Sequence, residues 1–154
     1  MGAPGGRLEI REGLEPRERA QENAVQVVLV VDDESTVRKL MAAVLERAGY
    51  RILEACCGED AVRVAEAHDG PIDLLLTDII MPGMDGWELA RQLGAVRTDM
   101  KIIYTSGNID RAGSGDGAAE PCILLRKPFT PDQLVQTAAE LLNEPQRKPP
   151  VRHE

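Results

Sequence analysis

Carboxylate, hydroxyl and ammonium side chains stand directly after four of the apolar runs in this sequence. Asp32 and Asp33 follow one run, Asp78 a second, Thr105 a third and Lys127 a fourth. If each run is a strand of one parallel sheet, the residues beyond the carboxyl ends of the strands meet at one edge, where open α/β sheets bind ligands. The spacing therefore predicts a single polar site with three carboxylates, a hydroxyl and an amine.

Three carboxylates at one edge require a cation. Two carboxylates about 4 Å apart repel by roughly 4 kcal/mol at an effective dielectric constant of about 20, so all three stay ionised only beside a positive charge. Magnesium binds a few carboxylates and keeps positions for water and phosphate oxygens. Lys127 and the Thr105 hydroxyl can hold oxygens of a phosphoryl group, which leaves Asp78 as the nucleophile. These residue types predict magnesium-dependent phosphoryl transfer.

The apolar runs have the features of strands in a doubly wound α/β domain. Short runs rich in β-branched residues are typical of strands buried on both faces, and segments of helical periodicity alternate with them. Strands are predicted at 25–31, 51–55, 72–77, 101–105 and 123–126. Helices are predicted from an N-cap at Ser35 to a stop at Gly49, at 59–67, at 85–93 and from Pro131 to residue 142. The alternation indicates a five-stranded parallel sheet.

Three glycines interrupt the segment between the fourth and fifth strands, where a fourth helix is expected. Gly113, Gly115 and Gly117 lie in that segment. Each glycine costs about 1 kcal/mol relative to alanine inside a helix. This helix is therefore predicted to be short, frayed or missing.

The ends of the chain differ in composition from its middle. Residues 1–25 lack periodicity and are predicted to be a mobile segment or linker, whereas 144–154 are predicted to be a disordered tail. One domain is expected over 26–143. The cysteines at 56, 57 and 122 have neither metal-ligand spacing nor a disulfide framework, so they are predicted to be reduced packing residues.

Charge and hydropathy exclude several classes of partner. The 154 residues carry 18 basic and 26 acidic side chains, a formal net charge of −8, and no basic stripe. Nucleic acid is therefore not expected to bind. No apolar run near the N-terminus resembles a signal peptide or a membrane anchor, so the protein is expected in the cytoplasm without a membrane partner.

Four motifs resemble the response-regulator receiver family, the CheY-like domains. They are Val-Val-Asp-Asp-Glu at 30–34, Thr-Asp-Ile-Ile-Met-Pro-Gly-Met-Asp-Gly at 77–86, Tyr-Thr-Ser-Gly at 104–107 and Lys-Pro-Phe at 127–129. The motifs occur in the order of the family, and the resemblance covers about 25–142. It implies a flavodoxin-like fold and is similar in detail to receivers at the carboxyl end of hybrid histidine kinases.

The resemblance implies a role for each matching residue. Asp78 would accept a phosphoryl group from a histidine kinase, and Asp33 and Asp78 would bind Mg²⁺ directly. Asp32 would bind the ion through water, and the backbone carbonyl of Ile80 would complete the protein ligands. Thr105 and Lys127 would be the switch hydroxyl and the phosphate-binding lysine.

Two departures from the family limit what the resemblance implies. Many receivers have an aromatic ring three residues before the lysine, where this chain has Leu124, so the movement that couples threonine to that ring is not expected in its usual form. Ile80 and Gly107 lack the polar side chains that position the attacking water in some receivers. We therefore expect slow self-dephosphorylation.

Other functions remain open from the sequence. A magnesium-dependent phosphohydrolase resembling the haloacid dehalogenase group would need a second aspartate where Ile80 stands. An interaction-only pseudo-receiver would use its acidic residues as helix caps. A receiver is not expected to be an enzyme towards other substrates, although it can catalyse its own phosphorylation and dephosphorylation. Its expected partners are a histidine kinase or phosphotransfer protein, with a weak homodimer left open, and it could be free-standing or part of a hybrid kinase.

Overall fold

The computed structural model describes residues 25–107 and 122–143, which form one parallel sheet covered by helices. The strands are β1 (Val27–Val31), β2 (Arg51–Ala55), β3 (Leu74–Asp78), β4 (Lys101–Ser106) and β5 (Cys122–Arg126). The helices in the described ranges are α1 (Ser35–Arg47), α2 (Gly58–Ala67), α3 (Gly86–Val96) and α4 (Pro131–Asn143). Strands and helices alternate along most of this chain, as the sequence predicts.

The sheet has the strand order β2-β1-β3-β4-β5, and all four pairings are parallel. Every residue of β1, β3 and β4 is buried, whereas the edge strands β2 and β5 are partly exposed. The order reverses direction after β2, so β1 and β3 lie side by side at the point where open sheets bind ligands. The predicted doubly wound, flavodoxin-like fold is confirmed.

Alternate residues of the central strands enter two separate cores, one on each face of the sheet. One core combines strand residues such as Leu29, Leu75 and Ile102 with buried residues of α2 and α3. The other combines residues such as Val30 and Leu76 with buried residues of α1 and α4. Side chains of a strand alternate between faces, so position in the strand decides which helix layer a residue contacts.

The observed helix starts correct one prediction and refine another. Ser35 is the first residue of α1 and not its N-cap; the N-cap is Glu34, whose side chain makes no capping hydrogen bond. The reason is that the Asp32 carboxylate accepts the Glu34 N–H at 2.9 Å and starts the turn one residue earlier. Asp85 is the N-cap of α3, and its carboxylate accepts the Glu88 N–H at 2.9 Å.

A capping box opens α4. The Thr130 hydroxyl accepts the Gln133 N–H at 3.0 Å, and the Gln133 side chain accepts the Thr130 N–H at 2.8 Å. This reciprocal pair satisfies two of the backbone donors that a helix start leaves unpaired. Pro131 follows as the first helical residue, where proline loses no helical hydrogen bond.

Some predictions fall outside the described residues. The helix predicted to be short, frayed or missing between the fourth and fifth strands lies in 108–121, and the predicted N-terminal segment and tail lie in 1–24 and 144–154. The division into those two segments and a domain over 26–143 therefore stays a prediction. Among the helices described, none has the length and hydropathy to cross a membrane.

Candidate functional site

The register of the sheet aligns four polar side chains on one face at its carboxyl edge. Asp78 and Thr105 are paired across β3 and β4. Each of the four polar residues lies two positions after an apolar residue that packs in the core beneath α1 and α4. The pairs are Val30 and Asp32, Leu76 and Asp78, Ile103 and Thr105, and Leu125 and Lys127. Because side chains two residues apart in a strand share a face, the core pattern itself directs these groups to one site.

Three carboxylates converge at this edge. Asp32, Asp33 and Asp78 each offer an oxygen, and the three oxygens lie within 4.8 Å of one another. Asp32 is fully buried, Asp78 is 9% exposed, and Asp33 is exposed. Two buried anions and one accessible anion this close together fit a hard divalent cation that enters from solvent.

The Lys127 ammonium lies between the two buried carboxylates. Its Nζ is 3.2 Å from Asp32 Oδ2 and 3.4 Å from Asp78 Oδ2. The Lys127 N–H donates to the Ser106 carbonyl at 2.8 Å, which fixes the start of the loop after β5, and the Lys127–Pro128 peptide bond is cis. One positive charge thus faces two of the three negative charges of the cluster.

Burial and neighbouring charge shift the ionisation of both partners. Burial raises the pKa of Asp78; the Lys127 charge opposes this, while Asp32 and Asp33 add to it. For Lys127, burial alone would lower the pKa, but the charges of Asp32 and Asp78 outweigh it and raise the pKa. The ammonium is therefore held in its charged form, whereas Asp78 carries its negative charge at a cost that a further cation would relieve.

Thr105 presents a buried hydroxyl beside Asp78. The residue is completely buried, and its Oγ1 has no hydrogen-bond partner among residues 25–107 and 122–143. Its carbonyl accepts the Ile79 N–H at 2.9 Å, which locks the strand ends together. A buried hydroxyl without a partner is costly, so this group has unused hydrogen-bonding capacity next to the Asp78 carboxylate.

Arg38 holds the loop after β1, a role that the sequence analysis missed. Its guanidinium donates to the Asp32 carbonyl at 2.9 Å and to the Glu54 carboxylate at 3.1 Å. Only 13% of the Arg38 side chain is exposed. An arginine in the first turn of a helix can reach back to the loop before it, and this position is the only signal for the contact in the sequence.

Gly86 allows the loop after β3 to fold tightly, and this role was also missed. A Cβ at Gly86 would collide with the Asp78 carbonyl and would lie 2.9 Å from Ile79 Cα. The Gly86 N–H donates to the Ile79 carbonyl at 2.8 Å, and the Thr77 hydroxyl donates to the Asp78 carbonyl at 2.9 Å. In the sequence, the Asp-Gly pair at the start of the predicted helix was the feature that could have indicated this tight turn.

The remaining residues of interest lie around this cluster. Ile80 is half-buried and packs against the core beneath α2 and α3, and Gly107 is exposed. Leu124 is 44% exposed and pairs with Tyr104 across β4 and β5, so it belongs to the opposite face from Thr105. Trp87 packs against Tyr104 with ring centroids 4.3 Å apart and contacts the core beneath α2 and α3.

Fold and site together define a doubly wound α/β domain with a cluster of carboxylates and a lysine at the carboxyl edge of its sheet. The family model of the response regulator receiver domain matches residues 28–139, and the chain belongs to this family. It is thus a receiver domain of the kind found in response regulators and hybrid kinases of two-component systems. Phosphorylation and magnesium binding are typical of this family, whose members interact with histidine kinases or phosphotransfer proteins.

Curated relatives include both kinds of protein. The sensor kinase CckA of Brucella abortus is 36% identical over 118 residues, which cover 76% of this chain and 12% of that protein. The response regulator receiver protein CpdR of the same organism is 34% identical over 116 residues, which cover 75% of this chain and 95% of that protein. The chain therefore spans a small part of one relative and nearly the whole of the other.

Solved structures with the same fold include receivers of known type. The receiver domain of the hybrid histidine kinase CckA is 33% identical with a TM-score of 0.65, and the match covers 76% of this chain and 99% of that chain. The response regulator TrrA of Thermotoga maritima, solved in complex with Mg²⁺ and BeF, is 33% identical with a TM-score of 0.66 and the same coverage.

Proposed function

We propose that Asp78 is the phosphoacceptor of a two-component phosphorelay and that a histidine kinase or phosphotransfer protein phosphorylates it in a Mg²⁺-dependent reaction. The observation that carries the proposal is the Lys127 ammonium, 3.4 Å from the Asp78 carboxylate, in a cluster of three carboxylates. A purely structural lysine would be expected to neutralise the cluster, yet a net negative charge remains. Such a site suits a divalent ion together with an incoming phosphoryl group.

The donor set fits magnesium. Asp33 and Asp78 are proposed as direct ligands, Asp32 as a ligand through water, and the Ile80 carbonyl as the remaining protein oxygen. All of these are oxygen donors, and Asp33 is open to solvent. Bound Mg²⁺ would neutralise the carboxylates and withdraw charge from the phosphoryl oxygens.

Asp78, Lys127 and Thr105 have different roles in the proposed phosphoryl transfer. An Asp78 carboxylate oxygen forms a bond to phosphorus while the bond from phosphorus to the donor histidine nitrogen breaks, and the electron pair of that bond returns to the imidazole. The Lys127 ammonium attracts one phosphoryl oxygen, and the Thr105 hydroxyl donates to another. The Thr105 hydroxyl would thereby gain a partner for its unused hydrogen-bonding capacity.

We further propose that the signal passes to other proteins in the cytoplasm. Phosphorylation would change the surface around the strand ends, and the output would be protein contact or onward phosphotransfer. CckA is a sensor kinase and CpdR a response regulator, so a donor histidine in a partner or in the same polypeptide is compatible with the relatives.

The test is direct phosphorylation with a small donor. The protein is incubated with Mg²⁺ and acetyl phosphate, and intact mass is followed with and without a chelator. Wild type should gain one phosphoryl group only with Mg²⁺, and Asp78→Asn should gain none. Asp85→Asn is the matched control, because Asp85 lies in the same loop but caps α3, and asparagine is an equally good cap.

Each other outcome has a distinct meaning. Equal mass gain in wild type and Asp78→Asn would reject Asp78 as the acceptor. No gain in wild type with acetyl phosphate or with a kinase would favour an interaction-only pseudo-receiver. Rapid, continuous phosphate release from small phosphomonoesters would favour the phosphohydrolase.

A further inference from the structure

Two adjacent thiols lie between β2 and α2. Cys56 is exposed and Cys57 is half-buried, and neither is in a disulfide. For Cys56 this corrects the predicted packing role, because the strand ends at Ala55 and the next side chain faces solvent. Cys122, the third cysteine, is not in a disulfide either, but it lies at the start of β5 and packs against the core.

The backbone around the pair is fixed by its own hydrogen bonds. The Cys57 sulfur accepts the Asp60 N–H at 3.4 Å and caps α2, and the Cys56 N–H donates to the Asp60 carboxylate at 3.1 Å. The Arg63 guanidinium in turn holds that carboxylate at 3.0 Å. The two cysteines are therefore presented by a preorganised turn, and a ligand binding there would not have to order a loose loop.

The two sulfurs also interact with each other. Desolvation raises the pKa of the Cys56 thiol, and a hydrogen bond with Cys57 and the nearby negative charge of Asp60 raise it further. The Cys56 thiol is thus held in its protonated form at neutral pH. Reactions that need a thiolate, such as oxidation and disulfide exchange, are slowed by a raised pKa.

This pair is better suited to a reaction that uses two neighbouring thiols without oxidation than to disulfide formation. A disulfide would bring the sulfurs to about 2.05 Å across a single peptide unit, which strains the ring. A bridging atom lets the sulfurs stay farther apart. Trivalent arsenic provides such a bridge: a group R–As=O condenses with two thiols to form two As–S bonds, and the arsenic oxygen leaves as water with both thiol protons. No oxidant or reductant is required.

We propose that Cys56 and Cys57 form a dithiol site for trivalent arsenicals. The adjacent thiols, the exposure of Cys56 and the rigid turn around Asp60 carry the proposal. The site is separate from the acidic cluster in chemistry, since it uses soft sulfur ligands and not carboxylates. It does not depend on phosphorylation of Asp78.

The test is binding of phenylarsine oxide to the reduced full-length chain. Intact mass should show one phenylarsenic group per chain with loss of one water. The adduct should survive excess glutathione, a monothiol, and be removed by dimercaptopropanol, a dithiol. Cys56→Ser and Cys57→Ser should each lower the apparent affinity about 100-fold, because one of two linked attachments is lost. Because Cys57→Ser keeps a side-chain atom that can cap α2, we expect the circular-dichroism signal of the helices to be retained in that variant.

Cys122→Ser is the matched control and should bind like wild type. The proposal is overturned if Cys122→Ser loses the adduct, if either other variant retains it against glutathione, or if the arsenic instead links two chains into a dimer. If Cys57→Ser fails to fold, the exposed Cys56→Ser variant decides the outcome alone.

Discussion

Two lysines with little exposure lie at opposite ends of the sheet and have different environments: Lys101 is buried and Lys127 is half-buried. Lys101 begins β4, is 7% exposed, and its Nζ donates to the Leu141 carbonyl near the end of α4 at 2.8 Å. Lys127 follows β5, and its Nζ lies within 3.4 Å of two carboxylates. At the amino edge an ammonium satisfies a helix carbonyl; at the carboxyl edge it sits in an excess of negative charge.

The two lysines differ in the charge that surrounds each ammonium. Carbonyls in the last turn of a helix lack intrahelical partners, and a cation there is favourable, so Lys101 completes the packing of α4 on the sheet. Lys127 leaves its surroundings incompletely neutralised, because the cluster holds three carboxylates and the ammonium faces only two of them. What marks Lys127 is the pair of carboxylates that its Nζ faces, within 3.4 Å.

The largest expected effect comes from Lys127→Met. Phosphorylation by acetyl phosphate in saturating Mg²⁺ should slow about 100- to 1,000-fold, the usual result of removing one preorganised group that stabilises transition-state charge. The rate is measured by intact mass over time, with circular dichroism to check the fold. Lys101→Met is the same substitution at the other edge of the sheet. If it slowed phosphorylation equally, Lys127 would have no special role in the reaction.

We expect Mg²⁺ to stabilise the folded protein only by binding at the carboxyl edge of the sheet. At 100 times its Kd, a ligand that binds the folded state alone raises the free energy of unfolding by about 2.7 kcal/mol. Urea unfolding with and without Mg²⁺ should show this gain in wild type and in Lys101→Met. Asp33→Asn should lose most of it; an undiminished gain in that variant would show that the ion binds elsewhere.

Lys101→Met should act on stability instead. We expect the free energy of unfolding to fall by about 1–3 kcal/mol, because the buried Leu141 carbonyl loses this donor. Lys39→Met is the control, since Lys39 makes an exposed ion pair with Glu54, and such pairs contribute about 0–1 kcal/mol. Equal losses in the two variants, measured by urea unfolding, would deny Lys101 a special structural role.

The smallest expected effect concerns the lifetime of the phosphorylated form. Ile80→Asn should shorten the phosphoryl half-life about tenfold, or roughly 1.4 kcal/mol in barrier, because an amide can position the attacking water. The half-life is followed after removal of acetyl phosphate, and Ile80→Val serves as the control. A half-life that changed little in Ile80→Asn would remove the explanation for slow self-dephosphorylation.

Much of the fold and the core of the site could be predicted from sequence. The strand predictions overlap every strand in the described ranges. The three central strands are fully buried and therefore appear in the sequence as largely apolar runs with abrupt ends. The grouping of Asp32, Asp33, Asp78 and Lys127 followed from their positions at the strand ends. The N-cap of α1 could not be predicted, because Asp32 and Ser35 both offer capping oxygens and only the path of the turn selects between them.

Residues that act through distant contacts could not be identified from sequence. Arg38 touches Glu54, 16 residues away, and Lys101 touches Leu141, 40 residues away. Gly86 matters because the Asp78 carbonyl approaches it closely. No local pattern encodes such pairs, since they exist only after helices pack on the sheet.

The sequence by itself determined the alternation of strands and helices, the parallel sheet that this alternation indicates, and the residues available at the carboxyl edge. Periodicity and composition carry this information because they reflect burial, which acts on each segment separately. Tertiary structure alone decided which lysine meets carboxylates and which meets a helix carbonyl. That choice depends on distances between segments far apart in the chain, and electrostatic energy is set by those distances.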